Sequence, residues 1–191
     1  PDVAAFVAEH SPFDPPVTAA SLGESLAKLL VERGEFHEAL AVYERLLKQY
    51  PDNHRCARAH AELVGRAGET AEALAQLDAL REQEEAAGRH AEAEKTLETM
   101  VRIAPNHLPL RERLVEVHLK RGRLAEALRE LFTLAQLLER YGRAAEAIAH
   151  LRRAAEIATL TGDWEKVEPI YDYMIRLAPE DIGLRHAAAA T

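Results

Sequence analysis

Cysteine occurs once in the 191 residues, at Cys56. One cysteine closes no internal disulfide and gives a metal no cysteine pair, and it fits a reducing compartment. Aromatic residues make up only 5% of the chain, with a single tryptophan. Any core is therefore built mainly of Ala and Leu, which suits closely packed helices better than a β-sandwich. Positive charge is also in short supply: 24 Lys and Arg stand against 32 Asp and Glu, for a net charge of −8. That balance argues against a surface that tracks nucleic-acid phosphates over the whole molecule. No apolar run approaches the roughly 20 residues needed to span a bilayer. The opening "PDVAAFVAEHSPFDPP" lacks the basic start and apolar centre of a signal peptide. A soluble, cytoplasmic protein is expected.

The chemistry of sites is thin as well. Nine histidines are present, but none falls in a His-Glu-x-x-His pattern, and no Gly-rich phosphate loop or nucleophile elbow appears. His60 and His118 fall on predicted core stripes and read as packing histidines. Cys56, near a predicted helix start, is either a plain small residue or a thiol with a modestly lowered pKa. Nothing converges as a catalytic set would. The expectation is a protein that is not an enzyme and needs neither cofactor nor metal.

What the chain has instead is a repeat. "GEFHEALAVY" from Gly34 returns as "GETAEALAQL" from Gly68, "GRHAEAEKTL" from Gly88, "GRLAEALREL" from Gly122 and "GRAAEAIAHL" from Gly142. A looser copy, "GDWEKVEPIY", starts at Gly162. Apolar residues follow each glycine at offsets of three and four, which draws one stripe along a helix. Glycine suits the turn before each helix because left-handed backbone costs it nothing there. Ala39, Ala73, Ala93, Ala127 and Ala147 leave room for a neighbouring backbone and are expected to be buried. Trp164 takes the place of Phe36 and Leu124 in their units, which predicts core packing for it too. Pro51, Pro105 and Pro179 each stop a helix, and Asp52, Asn53 and Asn106 are candidate caps for the next one.

These features together resemble the tetratricopeptide repeat (TPR) family, whose unit is a helix–turn–helix of about 34 residues. With residue 20 as the first position, Gly34 falls at the turn, Ala39 and Tyr43 at the small and aromatic positions, and Pro51 at the terminator. Residues 54–87, 74–107, 108–141 and 148–181 fit the same frame. The repeats diverge from the family pattern: its Trp is replaced by Gly23, Ala57 and Arg111. Two frames also overlap, so a helix at about 69–87 must serve two repeats. The resemblance implies an all-α, right-handed α-solenoid of antiparallel helix pairs, about ten helices after an N-terminal arm at 1–17, in a repeat domain over 18–191. In the arm, Asp2 would cap a short helix exposing Val3, Phe6 and Val7, while Thr18 caps the first repeat helix with Val17 and Leu22 as a staple.

The family's groove positions, carried onto the third helix, are Arg55, Arg58, Glu62 and Arg66. They lie on one side of that helix and are net positive in an acidic protein. The functional reading is a partner-binding seat for carboxylates, which Arg grips bidentately; the other is a solvated face paired to neighbouring glutamates. The first helix offers Ser21, Glu24, Lys28 and Glu32 there, and the sixth Pro109, Glu112, Glu116 and Lys120. The resemblance implies a non-catalytic scaffold that binds a protein or peptide partner, an acidic one if the stripe is the seat. The alternatives are a chaperone-like bacterial protein for secreted or assembling partners, or a regulatory segment of a larger chain. "DIGLRHAAAAT" reads as the first helix of a repeat cut short, with Arg185 where Arg111 stands, and predicts self-association through the C-terminal helices.

Overall fold

The computed structural model describes residues 18–189. The expectations for the arm at 1–17, including Val17 in the staple, lie outside the described residues. Ten helices follow: α1 (Ala19–Arg33), α2 (Phe36–Gln49), α3 (His54–Arg66), α4 (Thr70–Ala86), α5 (His90–Ile103), α6 (Leu108–Lys120), α7 (Leu124–Arg140), α8 (Ala144–Leu160), α9 (Trp164–Leu177) and α10 (Ile182–Ala189). The chain divides into two compact units, one ending at Ala104 and the other beginning at Pro105.

Two kinds of junction join the helices. At the six glycines that open the repeated motif the backbone turns through positive φ, and no other described residue does so. Each of these turns closes the same way: the amide after the glycine donates to a carbonyl five residues back, as from Arg89 to Glu84 at 2.8 Å and from Arg143 to Leu138 at 2.8 Å. That is the Schellman arrangement, which satisfies the carbonyls a helix end leaves open. Gly88 is the informative case. A glycine costs a helix interior only about 1 kcal/mol, yet α4 stops at Ala86 and α5 starts at His90, with φ of 70° between them. The proline junctions work differently. Each helix ends two residues before the proline, and the side chain two residues after it caps the next helix. Asn53 accepts from the Cys56 amide at 3.1 Å, His107 from Leu110 at 3.3 Å and Asp181 from Leu184 at 3.2 Å. Asn106 is therefore not the cap of α6; it stands one residue too early and His107 takes the role. Thr18 caps α1 in a reciprocal pair with Ser21, and Leu22 is exposed.

In the first unit, α1 packs on α2, α2 on α3, α3 on α4 and α4 on α5, and α3 also reaches α5. Helix α4 thus has a partner on either side, as the overlapping repeat frames require. Where the family's Trp would stand, Gly23 lies against Leu46; a Cβ there would meet Leu46 Cδ2 at 2.7 Å. In the second unit each helix from α6 to α10 packs on the next. Ala39, Ala73, Ala93, Ala127 and Ala147 are all buried, so the small residue of each motif marks a close helix crossing. Trp164 departs from expectation. It is 58% exposed, and Phe36 at the equivalent place is exposed as well. Both are the first residues of their helices, as is Leu124, which is half-buried against the core of its unit.

Candidate protein-interaction groove

The groove of the first unit starts from a clamp at the beginning of α3. Glu24 of α1 accepts from Asn53 Nδ2 at 3.0 Å and from Arg55 Nε at 2.7 Å, with a second contact from Arg55 Nη2. A carboxylate is favoured there by the positive end of the helix dipole. Burial pushes the Glu24 carboxyl up, but the hydrogen bonds from Asn53 and Arg55 outweigh it and hold the group below the usual range. The same clamp explains Cys56, whose thiol is buried and sits beside Glu24. Burial, with the Glu24 charge adding to it, pushes this thiol up to about 12, the reverse of a lowered, reactive pKa.

One turn further along, Arg58 turns inward. Its Nη1 donates to Glu84 of α4 at 2.8 Å and its Nη2 to Glu92 of α5 at 2.6 Å. Glu84 is fully buried and also accepts from Thr96 Oγ1 at 2.6 Å, with His54 Nδ1 at 3.0 Å. The four predicted residues therefore divide. Arg55 and Arg58 hold α3 to α1, α4 and α5, while Glu62 and Arg66 remain on the groove side. There Glu62 accepts from Arg66 at 3.2 Å and from Arg102 of α5 at 2.7 Å.

Glu62 and Arg66 help to line a cavity of about 280 Å³ between α1 and α3. Its floor is apolar: Val31, Tyr43, Ala59 and Leu63. Lys28 and Glu32 of α1 complete the rim. Neither makes an ion pair among the described residues, whereas Glu62 is neutralised by two arginines. Lys28 and Glu32 are thus the rim charges that no ion pair occupies among the described residues. The second unit has a counterpart of about 720 Å³ between α8 and α10, walled by Ala155, Tyr171, Leu184 and Ala187. Leu160, 85% exposed, stands at its edge. Arg152 and Glu156 are the charged residues that line this groove.

Among the described residues no group of three His, Cys, Asp or Glu is placed to hold a metal, and no helix is long and apolar enough to cross a membrane. His118 is buried and His60 half-buried.

The signal for Glu84 is present in the sequence. It continues the stripe Ala73, Leu77, Leu80 at the next helical step, and a glutamate on a core stripe needs buried partners. Arg58, His54 and Thr96 give no comparable sign, because the frame places Arg58 on the groove face.

Antiparallel helices, repeated glycine turns and apolar grooves with charged rims define a helical-repeat scaffold for binding other proteins. Two tetratricopeptide repeat family models match the sequence, over residues 21–63 and 85–137. The chain belongs to the tetratricopeptide repeat family, with divergent repeats. No curated protein matches it. Among solved structures it is similar to a putative kinesin light chain with nearly identical TPR-like repeats from Podospora anserina. That match has 16% identity over 88% of this chain and 89% of that one, with a TM-score of 0.54. A thermophilic TPR protein of Thermus thermophilus matches at 21% identity over 90% and 98% of the two chains, with a TM-score of 0.32. MamA of Desulfovibrio magneticus RS-1, from its residue 41 onward, matches at 13% over 85% and 97%, with a TM-score of 0.39. The first of these shares the all-α repeat fold.

Proposed function

We propose that the α1/α3 groove binds an extended acidic segment of a partner protein. One apolar side chain of that segment sits over Val31, Tyr43, Ala59 and Leu63, and a neighbouring carboxylate pairs with Lys28, with Arg66 as the second cation on the rim. The observation that carries this reading is the combination of an apolar floor with an unpaired lysine at its edge. Small grooves of this kind gain affinity from apolar burial and orientation from a few charges. Arg55 and Arg58 support the seat by fixing α3 in place. The setting is the cytoplasm, which a lone cysteine suits.

The test is titration with fluorescent peptides of one apolar residue flanked by glutamates. Lys28→Glu should weaken binding, added salt should weaken it further, and Ala59→Phe should block it by filling the floor. Both substitutions fall on residues that are not fully buried, so circular dichroism should be unchanged. Equal affinity for the wild-type and Lys28→Glu proteins would refute the charge reading, and equal affinity for Ala59→Phe would refute the groove itself.

A further inference from the structure

We propose that a second surface, the cleft between α9 and α10, seats an arginine or lysine side chain from a basic segment of a protein partner. The cleft has a volume of about 470 Å³ and is lined on α9 by Trp164, Val167, Glu168, Tyr171 and Asp172. Offsets of four, seven and eight residues from Trp164 put Glu168, Tyr171 and Asp172 on one face of the helix. Two aromatic rings and two carboxylates therefore share one wall. An aromatic face attracts a cation through its quadrupole, and a carboxylate pairs with the same cation directly. Aromatics are only 5% of this sequence, so two of them beside two acids in one cleft is a concentrated feature.

Among the described residues no ion pair satisfies this surface. Glu168 and Asp172 make no ion pair among the described residues. Arg185 of α10 lines the opposite wall, but its guanidinium donates to the Pro179 carbonyl. Arg111 does the same with the Pro105 carbonyl at the corresponding place in the sequence, at 2.6 Å. Arg185 thus forms an ion pair with neither carboxylate, and two acids stand against one arginine in the cleft. Charge complementarity and the aromatic walls select a basic partner here, opposite in sign to the one proposed for the first unit.

Trp164 is the only tryptophan, so its emission reports on this cleft directly. The experiment titrates the protein with acetyl-Gly-Arg-Arg-Gly-amide, with acetyl-Gly-Glu-Glu-Gly-amide as control. A saturable change in emission is expected with the arginine peptide alone, weakened by added salt. In the doubly substituted Glu168→Gln, Asp172→Asn protein the affinity should fall by roughly tenfold or more, as loss of two charge-assisted contacts implies. Both side chains are exposed, so helicity should be retained. The proposal is overturned if no saturable change is seen, if the acidic peptide gives an equal response, or if the double substitution leaves affinity unchanged. An emission that shifts with protein concentration alone would also overturn it, since a second copy of this chain would then be the occupant.

Discussion

The two units are built from the same motif and held together by different forces. Of the seven buried polar or charged residues among those described, six lie in the first unit (Glu24, Arg81, Glu84, Glu94, Thr96 and Thr99) and one, His118, in the second. The second unit instead centres on Leu131, Leu134, Leu151, Ile170 and Met174, all fully shielded, with Ala154, Ala155 and Ala158 between them. Its ion pairs lie outside that cluster, as between Arg111 and Glu130 at 2.5 Å or Arg153 and Glu116 at 2.6 Å. The pattern of directional bonds from α3 to α4 and α5 has a physical consequence. Hydrogen bonds accept one register and penalise others, whereas an Ala–Leu surface specifies register only through volume. The unit whose α4 is shared between repeats is also the one that carries the buried charges.

The largest expected effect breaks this difference at its centre. Glu84→Ala leaves Arg58 buried without its inner partner and should cost roughly 3–5 kcal/mol. Replacing both partners, Arg58→Met with Glu84→Leu, should recover most of that loss, because the desolvation cost disappears with the pair. Urea denaturation followed by circular dichroism measures both. If the double replacement is no better than the single one, the network contributes packing rather than paired charge. Arg58→Glu belongs in the same series and should also unfold the first unit, which makes it a poor probe of ligand binding.

The second unit should respond to volume in place of charge. Ala127 is fully buried where α7 begins, and Ala127→Leu should overpack that crossing at a cost of about 1–3 kcal/mol. Here no compensating change of charge is available. An unchanged melting temperature would mean that the crossing has slack, and would weaken the contrast between the units.

Much of this architecture is legible in the sequence because it rests on local chemistry. The six glycines announce left-handed backbone, the alanines close crossings, and the prolines stops, and each requirement is met within a few residues of sequence. What is not legible depends on partners distant in the chain. Arg58 and Glu84 lie 26 residues apart, and no helical periodicity tells whether an arginine on a groove stripe bends inward or stays in solvent. The cap of α6 escapes a reading by propensity, which prefers Asn to His, while the loop geometry fixes the cap at the second residue after the proline. Trp164 is misplaced when a stripe is extended to a helix start, where Leu124 meets the core while Phe36 and Trp164 stay exposed. Lys28 and Glu32 stand on the groove positions of the first helix, but without the apolar floor beside them they read as ordinary surface charge.

The smallest effect sharpens the comparison through alkaline pH. In the first unit, burial and the Glu24 carboxylate raise the Cys56 thiol from 9.0 to about 12. In the second, burial and a 2.6 Å hydrogen bond to Glu139 raise the Tyr173 phenol from 10.0 to about 12. Both groups hold their protons more tightly folded than unfolded. Their contribution is therefore intact below the unfolded pKa and is lost as pH rises toward the folded value, since the unfolded chain then binds fewer protons. The loss starts near pH 9 for Cys56 and near pH 10 for Tyr173, so at pH 9.5 it amounts to less than about 1 kcal/mol and falls mainly on the first unit. The two units carry separate reporters: thiol labelling at Cys56, which is buried until the first unit opens, and emission from Trp164 in the second. Raising the pH from 8 to about 9.5 should lower the urea midpoint seen by thiol labelling more than the midpoint seen by emission. Cys56→Ala should flatten the response of the first unit, followed by circular dichroism over the same range. Equal shifts at both reporters, or an undiminished response in Cys56→Ala, would assign the alkaline sensitivity to something other than this buried thiol.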